Sequence, residues 1–384
     1  MIPPDGIAHA PPAPAKSHRI AAVDWIRGFV MLLMIVDHAS MAFDRNHLSH
    51  DSALYADALT MALPADEFFT RWMTHLCAPT FVFLAGTALA LSVERRVAKG
   101  IDPWEIDRGI LLRGAIIVLF DLTVISLGIW KLSLSVLFAI GMSMIAMTGL
   151  RRLPTTLLLT FGLGWFAVGE WLTALVWHPP GPAPLWASLL VATSGVSEFS
   201  IKYPVIPWLA MMALGWVLGR HMVRFATGQS RVAPPTVLLT AGLAGLAVFL
   251  AVRGMNGYGN MFLPRADGSW QQWLHVSKYP PSLSFAALEL GLMCVLLAVM
   301  MWLEPVIGVR ENGPLLVFGQ TAMFYYLVHR FIFDFTASRF GLLGVGTIVT
   351  TYTVAIGALV LLYPACRWFR SMKAAHPDSL LRYI

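Results

Sequence analysis

Few ionisable residues interrupt the apolar stretches of this sequence, and those few are the ones that could do chemistry. The first stretch opens Asp24-Trp25-Ile26-Arg27-Gly28 and closes, after an apolar run, on Asp37-His38. Arg27 and His38 are eleven residues apart, so on a helix they share nearly one face and lie about 16 Å apart along the axis. One stripe therefore carries a guanidinium at one end and an imidazole at the other. Asp24 and Arg27 have the i,i+3 spacing that allows pairing. His75, Lys278-Tyr279 and His329 (after Tyr325-Tyr326) each stand at the edge of another apolar stretch, and His47 and His50 follow the first. A neutral imidazole titrating near pH 7 suits removal of a proton from an attacking hydroxyl or amine. Lys278 or Tyr279 could donate to an oxyanion formed in acyl transfer. Asp37 and His38 are sequential and project about 100° apart, so Asp37 is expected to pair with another helix, through Arg71 or Lys278.

Each of these residues also has a plainer role open to it. A histidine within an apolar helix often serves as a structural hydrogen-bonding group, which applies to His75 and His329. His47 and His50 lie among polar loop residues and could simply be solvated. Lys278 could anchor a helix end by snorkelling to the headgroups. Asp24 and Arg27 could only set topology, and Gly215-x-x-x-Gly219 reads as close helix packing.

The elements that position these groups follow from composition. Hydrophobic residues fill 57% of the 384 positions and charged residues only 12%, with mean hydropathy +0.68. A soluble domain is roughly 45–50% apolar and about 25% charged, so this chain cannot cover a water-facing surface and takes the lipid bilayer as its solvent. A spanning helix needs about 20 mostly apolar residues. Ten such stretches are predicted: Trp25–Phe43, Arg71–Val93, Ile110–Gly128, Ser133–Leu150, Thr155–Trp177, Val205–His221, Thr236–Val252, Ser282–Leu303, Pro314–Phe333 and Leu342–Tyr363. The fourth is the least regular, and Trp186–Ser200 reads as re-entrant or interfacial. The fold class is thus an all-α integral membrane bundle of about ten helices, with residues 19–384 as one domain.

Short cytoplasmic loops carry the Lys/Arg excess. An inside N-terminus places Arg95, Arg96, Lys99, Arg108, Arg151, Arg152, Arg220 and Arg224 inward, with Arg367, Arg370 and Lys373 of the tail. Both termini are then cytoplasmic, and the net charge of +6 reflects topology. No basic run interleaves with aromatic residues, so nucleic acid is not an expected partner. Residues 1–18 are Pro/Ala-rich, lack an apolar signal core and read as a disordered cytoplasmic tail. Cys77, Cys294 and Cys366 show no pairing or zinc spacing. Walker, dinucleotide, metal-ligand and Gly-x-Ser-x-Gly patterns are missing. What survives is histidine-centred general-base chemistry, or a proton-coupled transport path through the same His/Asp/Lys cluster.

The opening Arg19 to Gly28, with the helix ending in Asp37-His38, resembles the first helix of a membrane acyltransferase superfamily. Phe69 to Thr87, containing Arg71, His75, Cys77, Pro79 and Gly86, narrows the likeness. It is similar to bacterial members of the family sharing the catalytic domain of heparan-alpha-glucosaminide N-acetyltransferase. Ala139–Ser143, Tyr203–Trp208, Lys278–Ser282 and Phe318–His329 extend the likeness over nearly the whole chain. The resemblance implies acyl transfer from cytoplasmic acetyl-CoA to a sugar or glycan acceptor across the membrane, at a pore-like site in a bacterial inner membrane. A homodimer is compatible with it. Related O-acyltransferases place a histidine where His38 stands, whereas the lysosomal enzyme's loop histidine leaves His47 or His50 as alternatives. Arg27, Arg108 and Arg113 are expected at the mouth that takes the coenzyme A phosphates, with His75 and His329 beside the donor.

Overall fold

The computed structural model describes residues 20–55, 57–126, 132–195, 199–376, 379 and 381; the expected tail, 1–18, lies outside them. The chain is predominantly helical, and among the described residues seven segments are long and apolar enough to cross a bilayer. They are α1 (Ala21–Phe43), the continuous run of α2 (Ala65–Met73), a 3-10 turn (Thr74–Leu76) and α3 (Cys77–Ala98), then five further helices. Along the chain come α4 (Pro103–Phe120), α5 (Val136–Leu150), α6 (Thr155–Ala174), α7 (Leu185–Leu190), α8 (Val205–Ala226) and α9 (Pro234–Met255). They are followed by α10 (Trp270–Leu274), α11 (Leu283–Ile307), α12 (Pro314–Gln320), α13 (Ala322–Arg339) and α14 (Ile348–Ala375). The crossing helices are α1, α2–α3, α6, α8, α9, α11 and α14. Val306, Val349, Val360 and Leu361 are more than two-thirds exposed. Such a surface suits hydrocarbon and would be ruinous in water. The protein is a multi-pass membrane protein.

Three of the ten predicted crossings take other forms. The third begins in a polar turn where Asp102 accepts from Trp104 N (2.8 Å) and Glu105 N (3.4 Å), with Pro103 at the first helical position. It then continues from α4 into a π turn, Asp121–Ile125. The fourth is short because Leu132–Leu134 is a strand, β1. With β2 (Ser194–Gly195) and β3 (Phe199–Ile201) it forms a small sheet, β1 parallel and β2 antiparallel to β3. The bundle is therefore not purely α-helical. The ninth is broken at Thr321, whose φ of −116° leaves the helical region. Its hydroxyl donates to Val317 O at 2.8 Å, beside the Thr321 N bond to the same carbonyl at 3.2 Å. The tenth starts later than predicted, at Ile348, because 341–347 pairs with the end of α1 (Gly344 N to Ala42 O 3.1 Å, Gly346 N to Phe43 O 2.6 Å).

α1 lies at the centre, packed on α12, α14, α13, α11 and α3, and nearly every residue of it is buried. Its N-terminus is capped by a neighbour: both Glu304 oxygens of α11 accept from Ala21 N and Ala22 N at 3.1 and 3.0 Å. The close pairing of α3 with α8 rests on small residues. A Cβ on Gly215 would lie 1.8 Å from the Phe83 carbonyl oxygen, and one on Gly86 2.0 Å from that of Met212. The Gly215-x-x-x-Gly219 spacing is thus helix packing, as read from the sequence.

Candidate active site

His38 sits one turn before the end of α1 and is 8% exposed; His329, in α13, is 1% exposed. His38 Nδ1 and His329 Nε2 are 2.7 Å apart, and His329 Nδ1 is 2.6 Å from the carbonyl oxygen of Tyr325. A carbonyl oxygen can only accept, so His329 must carry its proton on Nδ1. Neutral His329 then has a lone pair on Nε2, and His38 must donate to it from Nδ1. The lone pair of neutral His38 is left on Nε2, which makes no hydrogen bond among the described residues. That is the tautomer a general base needs. Tyr326 stands edge-on to His38, ring centroids 5.6 Å apart.

A cavity of about 890 Å³ is lined by Arg27, Met31 and Met34 of α1, and it reaches Tyr326. Its wall carries five cations: Arg27 of α1, Arg96 at the end of α3, Arg108 and Arg113 of α4, and Lys373 near the end of α14. Glu105 is the single acid in that wall, and Gln320 enters at the break before α13. Arg27 also pairs with Asp24 at 3.4 Å and donates to Leu84 O at 3.1 Å. Further in, the lining turns apolar at Met31, Leu137, Ile140 and Met144. The space is basic at the Arg27 end of α1, apolar in the middle, and bounded by the aromatic neighbour of His38.

On the adjacent face of α1, Asp37 accepts from Arg71 Nη1 at 2.6 Å and from Thr74 Oγ1 at 2.9 Å. Arg71 also holds Asp51 Oδ2 through Nε (2.9 Å) and Nη2 (2.6 Å), and His75 Nε2 lies 3.3 Å from the same oxygen. The guanidinium bridges the buried Asp51 and the half-buried Asp37, and Asp51 in turn accepts Lys278 N at 2.9 Å through its carbonyl. The Lys278 and Lys202 ammoniums lie 5.4 and 5.8 Å from the Tyr279 ring centre, and Tyr279 OH is 3.3 Å from Tyr203 OH. Burial alone would raise the Tyr279 phenol, but Lys278, Arg71 and Lys202 outweigh it and draw the group below its ordinary value. The loop residue His47 shares a hydrogen bond with Ser40 Oγ (2.9 Å). Burial, with Arg71 adding, lowers that imidazole from 6.5 to about 4.

A comparison with family models matches residues 19–252 to the catalytic domain of heparan-alpha-glucosaminide N-acetyltransferase. That stretch is more than half of the chain. The protein belongs to this acetyltransferase family. A comparison with curated proteins returned no match. Membership in the heparan-alpha-glucosaminide N-acetyltransferase family makes the chain a membrane acetyltransferase by kinship. The matched stretch holds His38, Asp37, Arg71 and the cations of α1, α3 and α4. It stops short of Lys278, Tyr279, His329 and Lys373.

Apart from His47 and His50, the residues singled out from the sequence fall into three places. Arg27, Arg108 and Arg113 line the basic cavity; His38 and His329 form the dyad; Asp37, His75, Lys278 and Tyr279 join the network around Arg71. His75 and His329 were expected beside the donor, but neither lines the cavity: His75 faces Asp51 and His329 stands behind His38. His50 turns away as well, its ring tilted against Tyr55 (4.6 Å between centroids) and 3.8 Å from Asp57. Sequence reasoning missed the pairing of His38 with His329, the role of Asp51, and the cavity positions of Arg96, Gln320, Tyr326 and Lys373. Arg96 and Lys373 carried a usable signal, since both fell on the predicted cytoplasmic side with Arg27. Nothing in the spacing of residues 38 and 329 announces their contact.

Proposed function

We propose that this protein moves an acyl group, acetyl in the simplest case, from cytoplasmic acyl-CoA to an amine or hydroxyl of a sugar or glycan outside the cytoplasm. In this reading the chain crosses a bacterial inner membrane ten times, the broken α12–α13 unit and the short α4 and α5 included, with both termini inside. Arg27, Arg96, Arg108, Arg113 and Lys373 hold the phosphates of coenzyme A, as guanidinium and ammonium groups do. The pantetheine arm follows the apolar part of the cavity toward Tyr326. The acceptor arrives from the Arg71 side, and His38 Nε2 removes its proton as the oxygen or nitrogen attacks the thioester carbonyl carbon. Lys278 or Tyr279 donates to the oxyanion. The C–S bond then breaks, and the departing thiolate takes the proton from His38. His329 fixes the His38 tautomer throughout, and Asp37 reaches the site through Arg71.

One observation carries this reading: a single cavity runs from a five-cation mouth to Tyr326, whose ring stands edge-on to the buried His38. The test uses purified protein in lipid nanodiscs, acetyl-CoA labelled in the acetyl group, and glucosamine-terminated oligosaccharides. Label should appear on the sugar, and acetyl-CoA should raise the melting temperature. Movement of unmodified sugar across vesicles without label transfer would sink the enzyme reading in favour of a proton-coupled transporter.

A further inference from the structure

A second hollow, about 520 Å³, opens on the side of the bundle between α13 and α14. Phe43, Phe333, Val354, Gly357 and Leu361 line it, and the only side-chain polar groups among its lining residues are the hydroxyls of Thr336 and Thr350. Along α14 the lining runs from Thr350 to Leu361, a length of about 16 Å. Its helices present Ile332, Val349, Ile356 and Val360 outward, each half exposed or more. The groove thus faces hydrocarbon. Its inner wall is also a wall of the dyad: the Phe333 ring lies 5.8 Å from His329 and 5.7 Å from Phe43.

The groove ends where 344–346 pairs with 42–45. There Arg45 is exposed and donates through Nε to Gly346 O (3.1 Å) and through Nη2 to Val345 O (3.4 Å). Its Nη1 donates to no described residue. The neighbouring Asp44 is buried and hydrogen-bonded to Thr351 at 3.4 Å. A cation fixed by two groove-lining carbonyls therefore marks one end of an apolar slot. Arg45 lies seven residues beyond His38, within about 11 Å of it along the axis if the helical rise is continued.

We infer that this groove binds the hydrocarbon tail of a phosphate-bearing lipid that carries the acceptor sugar, with the phosphate at Arg45. Ordinary bilayer lipid would also wet an apolar slot. Phosphatidylcholine is a zwitterion with no net charge, so the cation at the end favours an anionic lipid phosphate. The wall shared with the dyad favours one that carries the acceptor sugar, which would then sit over the last turn of α1. The word acceptor rests on the acyltransferase reading above; the binding itself does not.

The experiment uses protein in phosphatidylcholine nanodiscs and two photoreactive probes. One is glucosamine linked to a long isoprenoid phosphate, and the other is phosphatidylcholine with a tagged acyl chain. The isoprenoid probe should label peptides from 332–336 and 350–361 and be displaced by unlabelled isoprenoid phosphate. A Cβ at Gly357 meets nothing within 4 Å, so Gly357→Trp fills the groove without disturbing the backbone. It should reduce labelling and transfer to the lipid-linked sugar about tenfold, while transfer to free glucosamine and stabilisation by acetyl-CoA are unchanged. Arg45→Ala should weaken the isoprenoid probe and leave the phosphatidylcholine probe alone. Equal labelling by both probes, or undiminished transfer in Gly357→Trp, overturns the proposal. Loss of acetyl-CoA binding in the unmodified protein would count against the enzyme reading, and the labelling pattern would still decide the groove.

Discussion

His38 and His329 make a relay in which only one nitrogen is free. If that nitrogen is the base, His38→Ala should lower kcat by about 10² to 10⁴, the usual contribution of a positioned base, with acetyl-CoA affinity unchanged in a binding titration. His329→Gln can still hydrogen-bond His38 but no longer dictates its tautomer. Its activity should fall between the two, with the loss in kcat and little change in KM. Arg71 is a different case, because it neutralises Asp37 and Asp51 together. Arg71→Ala strands the buried Asp51 and the half-buried Asp37, and a broken buried pair costs about 3–5 kcal/mol, so this variant should melt far below the parent. His47 supplies a pH signature. Its folded value of about 4 lies below the ordinary 6.5, so the unfolded chain binds the extra proton between those values. Stability therefore rises with pH across that window and is lost as pH falls through it. His47→Gln should lessen the rise of melting temperature between pH 4 and 6.5.

Helices position these residues through contacts that composition alone does not reveal. α3 and α8 approach through Gly86 and Gly215, where any side chain would strike backbone carbonyls. Gly215→Leu must push the two helices apart, and overpacking of this kind costs about 1–3 kcal/mol or more. Aggregation in size-exclusion chromatography is the expected outcome, and a normal elution profile would argue that the helices can yield. The Glu304 carboxylate acts on the start of α1 from another helix. Glu304→Gln keeps the shape and removes the charge, so it should cost about 1 kcal/mol or less, read as a small drop in melting temperature. The break at Thr321 matters more for the site than for stability, since it turns Gln320 into the cavity and starts α13 afresh toward His329.

At the scale of the whole molecule, charge and apolarity are segregated along one path. Reversing Arg96, Arg108 and Lys373 to Glu together should raise the KM for acetyl-CoA steeply and reverse its salt dependence, because salt then screens a repulsion at the mouth in place of an attraction. Activity at saturating donor should survive if His38 is untouched. Much of this organisation was legible in the sequence. Apolar runs of bilayer length located most helices, since in lipid every backbone polar group must be satisfied within a helix. The rarity of ionisable residues in those runs pointed to Asp37, His38, His75, Lys278 and His329, because each is expensive there without a role or a partner. The pairing of Asp37 with Arg71 was also within reach, as a buried carboxylate needs a cation. What the sequence could not hold is which of those groups meet. His38 and His329 are 291 residues apart, and their contact exists because α13 restarts after Thr321 and packs on α1. His75 meets Asp51, outside the cavity, for the same kind of reason. Periodicity places a residue on a face and at a depth, but only the packing of one helix on another decides what lies across from it.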